Sequence, residues 1–163
     1  MGCGKSTIGK RLANKLSIKF IDLDAYIEEK EQQTIAELFA TKGEIYFRLQ
    51  ETIYLKELLA STDDFILSLG GGTPCYSNNM QQVLTSTAIS FYLRANIPTL
   101  ASRLVKEKET RPLIAKLKDD DLHEYIGKHL FERAPFYEQA THKIDVNNKN
   151  IETIEAAILA ELH

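Results

Sequence analysis

A glycine-rich segment at the start of the chain constrains the fold more than any other feature of the sequence. Residues 1–7, MGCGKST, match the closing half of the phosphate-binding loop G-x-x-x-x-G-K-[ST], with Lys5 and Ser6 at the lysine and hydroxyl positions. Apolar residues at helical spacing over residues 4–16 predict a helix that begins inside the loop. Glycines let backbone N–H groups approach anionic oxygens, and a helix N-terminus adds partial positive charge. The segment therefore predicts a site for phosphate groups.

The first glycine of this motif, and the β-strand that normally delivers it, would precede Met1. We expect that the natural chain begins about ten residues upstream, since a strand of about six residues and a short lead would complete the loop. The alternative is that a central strand is absent and the protein is impaired.

The rest of the chain alternates between short apolar runs and amphipathic helical segments. The predicted strands are 19–24, 64–72, 88–95 and 142–146. This alternation indicates βαβ units. We expect one α/β domain over residues 1–163, a three-layer α/β/α structure with a central parallel sheet.

Two long helical regions are expected to be interrupted. Residues 25–61 indicate two or three helices, with breaks near Gln33–Thr34 and Lys42–Gly43. Residues 122–140 are helical, with a break expected at Ala134–Pro135. The polar segment 109–121 contains a proline and is expected to be mobile.

Composition excludes several classes of partner. The net charge of −3 and pI of about 5.8 leave no basic surface for nucleic acid. No apolar run approaches the roughly 18 residues of a membrane span, and we expect a cytoplasmic protein. Cys3 and Cys75 form no C-x-x-C pair and are expected to be incidental thiols. The four histidines show no metal-ligand spacing.

Carboxylates and glycines follow two of the predicted strands. In FIDLD, Asp22 and Asp24 lie two residues apart on the predicted strand, so both side chains are expected on one face. Such a pair near a phosphate loop suits a metal ion or a substrate hydroxyl, although solvated acids or helix caps remain the alternative. In LSLGGGTP, three consecutive glycines at 70–72 indicate close approach of a ligand to the main chain, or a flexible turn.

Three arginines complete the candidate site. Arg48 lies in a helix among aromatic residues, Arg111 lies in TRPL, and Arg133 lies in ERAPFY. Alone, each would be a surface cation. Beside a phosphate loop they suit a carboxylate clamp and a cation on the transferring phosphoryl group. Arg94 and Arg103 are weaker candidates.

The order of these motifs closely resembles that of the shikimate kinase family. G-x-G-K-S-T, I-D-x-D, F-R, GGG, R-P-L and E-R-x-x-x-Y occur in that order, and the resemblance runs over essentially the whole chain. The combination is much more specific than the phosphate loop alone.

The resemblance implies an α/β fold of the P-loop kinase type, with ATP and Mg²⁺ as cofactors. The residues it places around the ATP phosphates are Gly2, Cys3, Gly4, Lys5, Ser6 and Thr7. Lys5 would stabilise the γ-phosphoryl charge, Ser6 would ligate Mg²⁺, and Asp22 would support the metal through water. Arg111 would belong to a mobile lid over about 107–122 and touch the ATP phosphates. Arg103 and the turn at Asn147 and Asn148 would lie near the adenine.

The resemblance also implies shikimate as the small-molecule substrate. Asp24 would bind its hydroxyls and help the 3-hydroxyl attack, and Arg48 and Arg133 would hold the carboxylate. Gly70, Gly71 and Gly72 would lie against the ring, within a substrate-binding region formed by helices over about 25–61. A monomer is expected.

Two other functions remain open at this stage. One is another small-molecule kinase of the same fold, such as a gluconate-type kinase. The other is a non-catalytic nucleotide-binding module, which the incomplete loop makes plausible. Release of ADP that depends on the second substrate would separate a kinase from such a module.

Overall fold

The computed structural model describes residues 2–106 and 112–162, with the side chains of all of these except 112 and 113. Internal contacts group the chain into two compact units, Ser6–Ser90 and Met1–Lys5 together with Phe91–His163. The described residues contain four strands, which form two two-stranded sheets, and both pairings are parallel, as predicted. Within the described residues, no helix has both the length and the apolar character needed to cross a membrane.

The unit Ser6–Ser90 combines four helices with one parallel strand pair. Its elements are α1 (Lys5–Leu16), β1 (Lys19–Asp22), α2 (Leu23–Glu31), α3 (Ile35–Leu59), β2 (Phe65–Ser68), a 3₁₀ turn (Thr73–Cys75) and α4 (Asn79–Thr85). Strand β1 pairs with β2 so that Asp22 lies opposite Ser68. The core between α2, α3 and α4 is formed by Leu23, Ile27, Leu38, Phe47, Leu55, Leu58 and Val83. This core fixes the positions of α2 and α3, which carry the predicted substrate residues Asp24 and Arg48.

Both predicted interruptions of the region 25–61 are confirmed. Between α2 and α3, Thr34 caps α3 in a capping box with Glu37, which satisfies N–H groups at the start of the helix. Within α3, Gly43 has φ 84° and ψ 170° and kinks the helix. A residue with a Cβ is strained at this φ, so the glycine permits the kink.

The second unit is built on the other parallel strand pair. Its elements are β3 (Phe91–Arg94), α5 (Ile97–Lys106), α6 (Pro112–Ala115), α7 (Asp119–Tyr137), β4 (His142–Asp145) and α8 (Ile151–Glu161). Helix α5 packs against α7, and α8 packs against β4. The prediction of a break at Ala134–Pro135 is wrong, because Pro135 lies inside α7, which ends at Tyr137. Because Pro135 lies close to the end of α7, it removes one backbone hydrogen bond but does not end the helix at Ala134.

Candidate active site

The glycine-rich loop has a backbone suited to anions. Gly2 and Gly4 have φ of 69° and 92°, a region that residues with side chains rarely occupy, and α1 begins at Lys5. Alternating left-handed residues turn successive N–H groups toward one side, which is the geometry of an anion-binding nest. The first turn of α1 contains no acidic residue. The loop therefore retains positive character at the helix N-terminus.

Helix α5 holds the beginning of this loop. Nη1 of Arg103 donates to the carbonyls of Gly2 and Cys3 at 3.5 and 3.2 Å, and its Nη2 donates to the carbonyl of Val146 at 3.4 Å. A Cβ on Gly2 would lie 3.0 Å from Cγ of the neighbouring Leu104. Arg103 thus links the loop to the end of β4. The prediction placed Arg103 near the adenine and did not include this structural role.

The turn after β4 is ordered by its own polar side chains. The backbone N–H of Asn147 donates to Oδ1 of Asp145 at 2.9 Å, and this bond lowers the pKa of the Asp145 carboxyl. Oδ1 of Asn147 accepts from the backbone N–H of Asn96 at 2.8 Å. Asn148 follows with φ of 52°. The turn is therefore a fixed surface beside β3 and β4.

Asp22 and Asp24 do not share a strand. Strand β1 ends at Asp22, whose Oδ1 accepts from the backbone N–H groups of Asp24 and Ala25 at 3.1 and 3.2 Å and caps α2. Asp24 lies in the first turn of α2, so the expectation that both side chains project from one strand face is wrong. The cap starts the helix two residues earlier than the strand pattern indicated. The second carboxylate oxygen of Asp22 has no hydrogen bond within the described residues.

The glycine turn lies against Asp24 and Arg48. A Cβ on Gly70 would lie 3.0 Å from Oγ1 of Thr73 and 3.3 Å from Oδ1 of Asp24. A Cβ on Gly72 would lie 2.8 Å from Nη2 of Arg48. The turn therefore needs glycine for close approach, and it brings four of the predicted substrate residues together: Gly70 with Asp24, and Gly72 with Arg48.

Arg48 is held by acidic partners on its own helix. Its Nη1 donates to Oε2 of Glu51 at 2.8 Å, and its Nε lies 3.6 Å from Oε1 of Glu44. The Nε atom is buried and has no hydrogen-bond partner among the described residues. Oε1 of Glu51 accepts from Oγ1 of Thr73 at 2.6 Å. Glu51 is only 1% exposed, so the pair is largely removed from water.

Sequence reasoning missed Glu51, Thr73 and Tyr76. The spacing Arg48-x-x-Glu51 on a helix was an available signal, because residues three apart are neighbours on a helix surface. Thr73 follows the three glycines directly, but nothing local indicated its bond to Glu51. The ring of Tyr76 is centred 4.1 Å from Cζ of Arg48, a contact between residues far apart in sequence.

Arg133 lies on α7, in the other unit. Within the described part of the chain it has no ion-pair partner. It borders a small cavity of about 30 Å³ whose other lining residues are Leu100, Ile126, His129, Leu130 and Tyr137. Arg111 and residues 107–110 of the predicted lid lie outside the described residues, which resume with α6 and α7.

The described residues contain no preformed metal cluster. No group of three or more histidine, cysteine, aspartate or glutamate side chains there is arranged to hold a metal ion. Cys3 and Cys75 are both free thiols.

Comparison with known proteins covers the whole chain. The profile of the shikimate kinase family matches residues 1–163. The shikimate kinase of Flavobacterium johnsoniae is 47% identical over 156 residues, which are 95% of this chain and 91% of the relative. That of Flavobacterium psychrophilum is 41% identical over 150 residues, 92% of this chain and 87% of the relative.

Solved structures agree with the sequence relatives. The crystal structure of shikimate kinase from Bacteroides thetaiotaomicron matches with a TM-score of 0.89 and 36% identity, covering 99% of this chain and 93% of that one. Shikimate kinase from Acinetobacter baumannii in complex with shikimate matches with a TM-score of 0.85 and 30% identity, covering 99% and 88%. These matches confirm the predicted α/β fold of the P-loop kinase type. The chain therefore belongs to the shikimate kinase family, whose members are phosphotransferases acting on an alcohol group.

Proposed function

We propose that the protein transfers the γ-phosphoryl group of ATP to the 3-hydroxyl of shikimate, releasing ADP, in the route to chorismate and the aromatic amino acids. The observation that carries the proposal is the family match over all of residues 1–163. The complex of the Acinetobacter baumannii relative with shikimate supports the choice of substrate.

The nucleotide phosphates bind to the glycine-rich loop in this proposal. The N–H groups of residues 2–7 surround the phosphate oxygens, and the Lys5 ammonium stabilises charge on the γ-phosphoryl group. The positive φ values of Gly2 and Gly4 support this role, because they orient N–H groups toward an anion. Arg103 keeps the loop in that shape and lies on the adenine side.

The substrate binds beside the glycine turn. Asp24 accepts hydrogen bonds from the shikimate hydroxyls and orients the 3-hydroxyl for attack, while Arg48 and Arg133 bind the carboxylate. The proximity of Gly70 to Asp24 and of Gly72 to Arg48 supports this arrangement, since a ring lying against those glycines would meet both side chains. A fixed guanidinium offers a carboxylate two parallel N–H donors.

The residues available for Mg²⁺ have the right chemistry. Magnesium prefers oxygen ligands and keeps several waters. The Ser6 hydroxyl is exposed in the first turn of α1, and one carboxylate oxygen of Asp22 has no hydrogen bond within the described residues. When bound, Mg²⁺ would offset negative charge on the β- and γ-phosphate oxygens. Ser6 would hold it directly and Asp22 through water.

Positioning supplies most of the catalysis that this site requires. Phosphoryl transfer leaves little covalent chemistry to the protein, so alignment of the hydroxyl and stabilisation of charge dominate. Arg111 and the lid at about 107–122 would exclude water, which otherwise competes with the 3-hydroxyl. We also expect a monomer, acting in the cytoplasm.

The direct test is release of ADP from MgATP by the purified 163-residue chain, with and without shikimate. Release that depends on shikimate supports the proposal, and gluconate as the added substrate is the specificity control. Nucleotide binding without release stimulated by shikimate would contradict it.

A further inference from the structure

The guanidinium of Arg48 lies between two aromatic rings. Its Cζ is 4.1 Å from the centre of the Tyr76 ring and 5.2 Å from the centre of the Phe47 ring. Phe47 is buried in the core, whereas Tyr76 is 41% exposed. The contact with Tyr76 therefore lies at the solvent side of Arg48, where a ligand arrives.

A rigid turn holds Tyr76 in this position. The backbone N–H of Cys75 donates to the carbonyl of Gly72, and that of Asn79 donates to the carbonyl of Tyr76, both at 2.9 Å. The side chain of Asn79 is fully buried, and its Nδ2 donates to the carbonyl of Thr73 at 2.9 Å. The backbone of the turn is thus fixed from both ends, and with it the point from which the Tyr76 side chain projects toward Arg48.

The Tyr76 ring and the carboxylates contact different parts of the Arg48 guanidinium. Glu51 binds Nη1, and Gly72 lies so close to the guanidinium that a Cβ there would be 2.8 Å from Nη2. The Tyr76 ring covers a face, where the negative π-cloud attracts the cation without using an N–H donor. Stacking on a face also excludes water there, which strengthens a hydrogen bond made at the edge.

We propose that Tyr76 is a positioning residue for substrate binding, which stacks on Arg48 and fixes the plane in which the guanidinium meets the substrate carboxylate. This inference rests on the proposed role of Arg48. The aromatic ring is the required feature, because the Tyr76 hydroxyl has no hydrogen bond within the described part of the chain.

The test compares the Michaelis constants of Tyr76→Leu and Tyr76→Phe for both substrates. We expect Tyr76→Leu to raise KM for shikimate about three- to tenfold, as loss of a cation–π contact implies, with kcat and KM for ATP within about twofold. Tyr76→Phe keeps the ring and is expected to restore KM for shikimate. An unchanged KM in Tyr76→Leu, or an equal rise for both substrates, would overturn the inference.

Two further variants separate this inference from the proposed function. Arg48→Lys keeps the charge beside Glu51 but removes the planar donor pair, so it tests the role of Arg48 alone. If Arg48→Lys leaves KM for shikimate unchanged, the proposed role of Arg48 fails. If Arg48→Lys raises that KM and Tyr76→Leu does not, only the inference about Tyr76 fails.

The matched control is Ile89→Ala, which changes another exposed apolar side chain of the same unit. Tyr76→Met replaces Tyr76→Leu if Tyr76→Leu does not fold.

Discussion

Arg48 and Glu51, one turn apart on α3, form an ion pair of 2.8 Å in which the carboxylate is almost entirely buried. The second oxygen of Glu51 accepts from Thr73 at 2.6 Å, so both oxygens are hydrogen-bonded. A buried charge is tolerated when it is paired and its lone pairs are used. Glu51 therefore both anchors the predicted substrate arginine and ties α3 to the turn after the glycines.

Replacing Glu51 with alanine is expected to affect stability and substrate binding together. The change leaves Arg48 without its main partner and costs about 3 kcal/mol of unfolding free energy, which corresponds to a fall in Tm of roughly 6–12 °C. We also expect KM for shikimate to rise about tenfold or more, because the guanidinium is free to rotate. Thermal unfolding and steady-state kinetics measure the two effects.

Glu44→Gln is the matched control for this prediction. Glu44 is exposed and lies 3.6 Å from Nε of Arg48, so its removal is expected to cost less than about 1 kcal/mol. Equal losses of unfolding free energy in Glu51→Ala and Glu44→Gln would show that the burial of Glu51 does not determine the strength of its ion pair with Arg48.

Gly72→Ala is expected to displace Arg48. Gly72 has φ of −88°, which any residue adopts, so backbone strain does not contribute. The added Cβ would lie 2.8 Å from Nη2 and must push the guanidinium aside. We expect KM for shikimate to rise about tenfold, with KM for ATP little changed.

The control for Gly72→Ala is Gly127→Ala in α7. A Cβ there would be 3.4 Å from Cδ1 of Ile97, an ordinary contact, and alanine in a helix stabilises by about 0.5–1 kcal/mol over glycine. A higher KM for shikimate in both variants would point to a general effect of the added methyl group.

The sequence predicted local structure well and long-range contacts poorly. Gly43 and Thr34 predicted the breaks in the helical region correctly, because helix kinks and caps are determined by residues that are neighbours in sequence. Arg48 was identified from its motif, but its stack on Tyr76 joins residues that only the packed structure brings together. The two-residue spacing of Asp22 and Asp24 predicted that the strand continues to Asp24. In the structure Asp22 instead caps α2, and the spacing alone does not reveal whether the strand continues or the helix begins.

Asp22 has a structural role and a proposed metal role that substitutions can separate. Asp22→Asn keeps an oxygen that caps α2 but removes the charge, so Tm is expected to change by less than about 2 °C. The Mg²⁺ concentration for half-maximal activity is expected to rise several-fold. Activity measured against Mg²⁺ at fixed ATP checks this.

Asp22→Ala provides the comparison, since it removes both the cap and the charge. An additional loss of about 1 kcal/mol of unfolding free energy is expected relative to Asp22→Asn. If Asp22→Asn requires no more Mg²⁺ than the unmodified protein, the proposed metal role of Asp22 is wrong, and capping alone explains the residue.

The contact between Glu31 and Tyr54 predicts how stability depends on pH. The Tyr54 hydroxyl donates to Glu31 at 2.7 Å, and this bond is the main cause of the lowered pKa of the Glu31 carboxyl. Burial, and then the same bond, raises the pKa of Tyr54 to about 12 from 10.0. The contribution of Glu31 is therefore present above its ordinary pKa of 4.5 and is lost as pH falls below it, through the lowered folded-state value. That of Tyr54 is present below pH 10.0 and is lost as pH rises toward 12.

Tyr54→Phe removes this bond and tests both limbs of the pH dependence. At pH 7 we expect a loss of about 1.5–3 kcal/mol, typical of a hydrogen bond to a charged group, with a smaller loss below pH 4 and above pH 11. Tyr26→Phe removes the corresponding bond to Glu57, which is half exposed, and is expected to cost less. Unfolding by urea at pH 3.5, 7 and 11 measures these differences. A loss in Tyr54→Phe that is the same at all three pH values would mean that the contribution of the Tyr54 hydroxyl does not depend on the charge of Glu31, and the predicted pH dependence would be wrong.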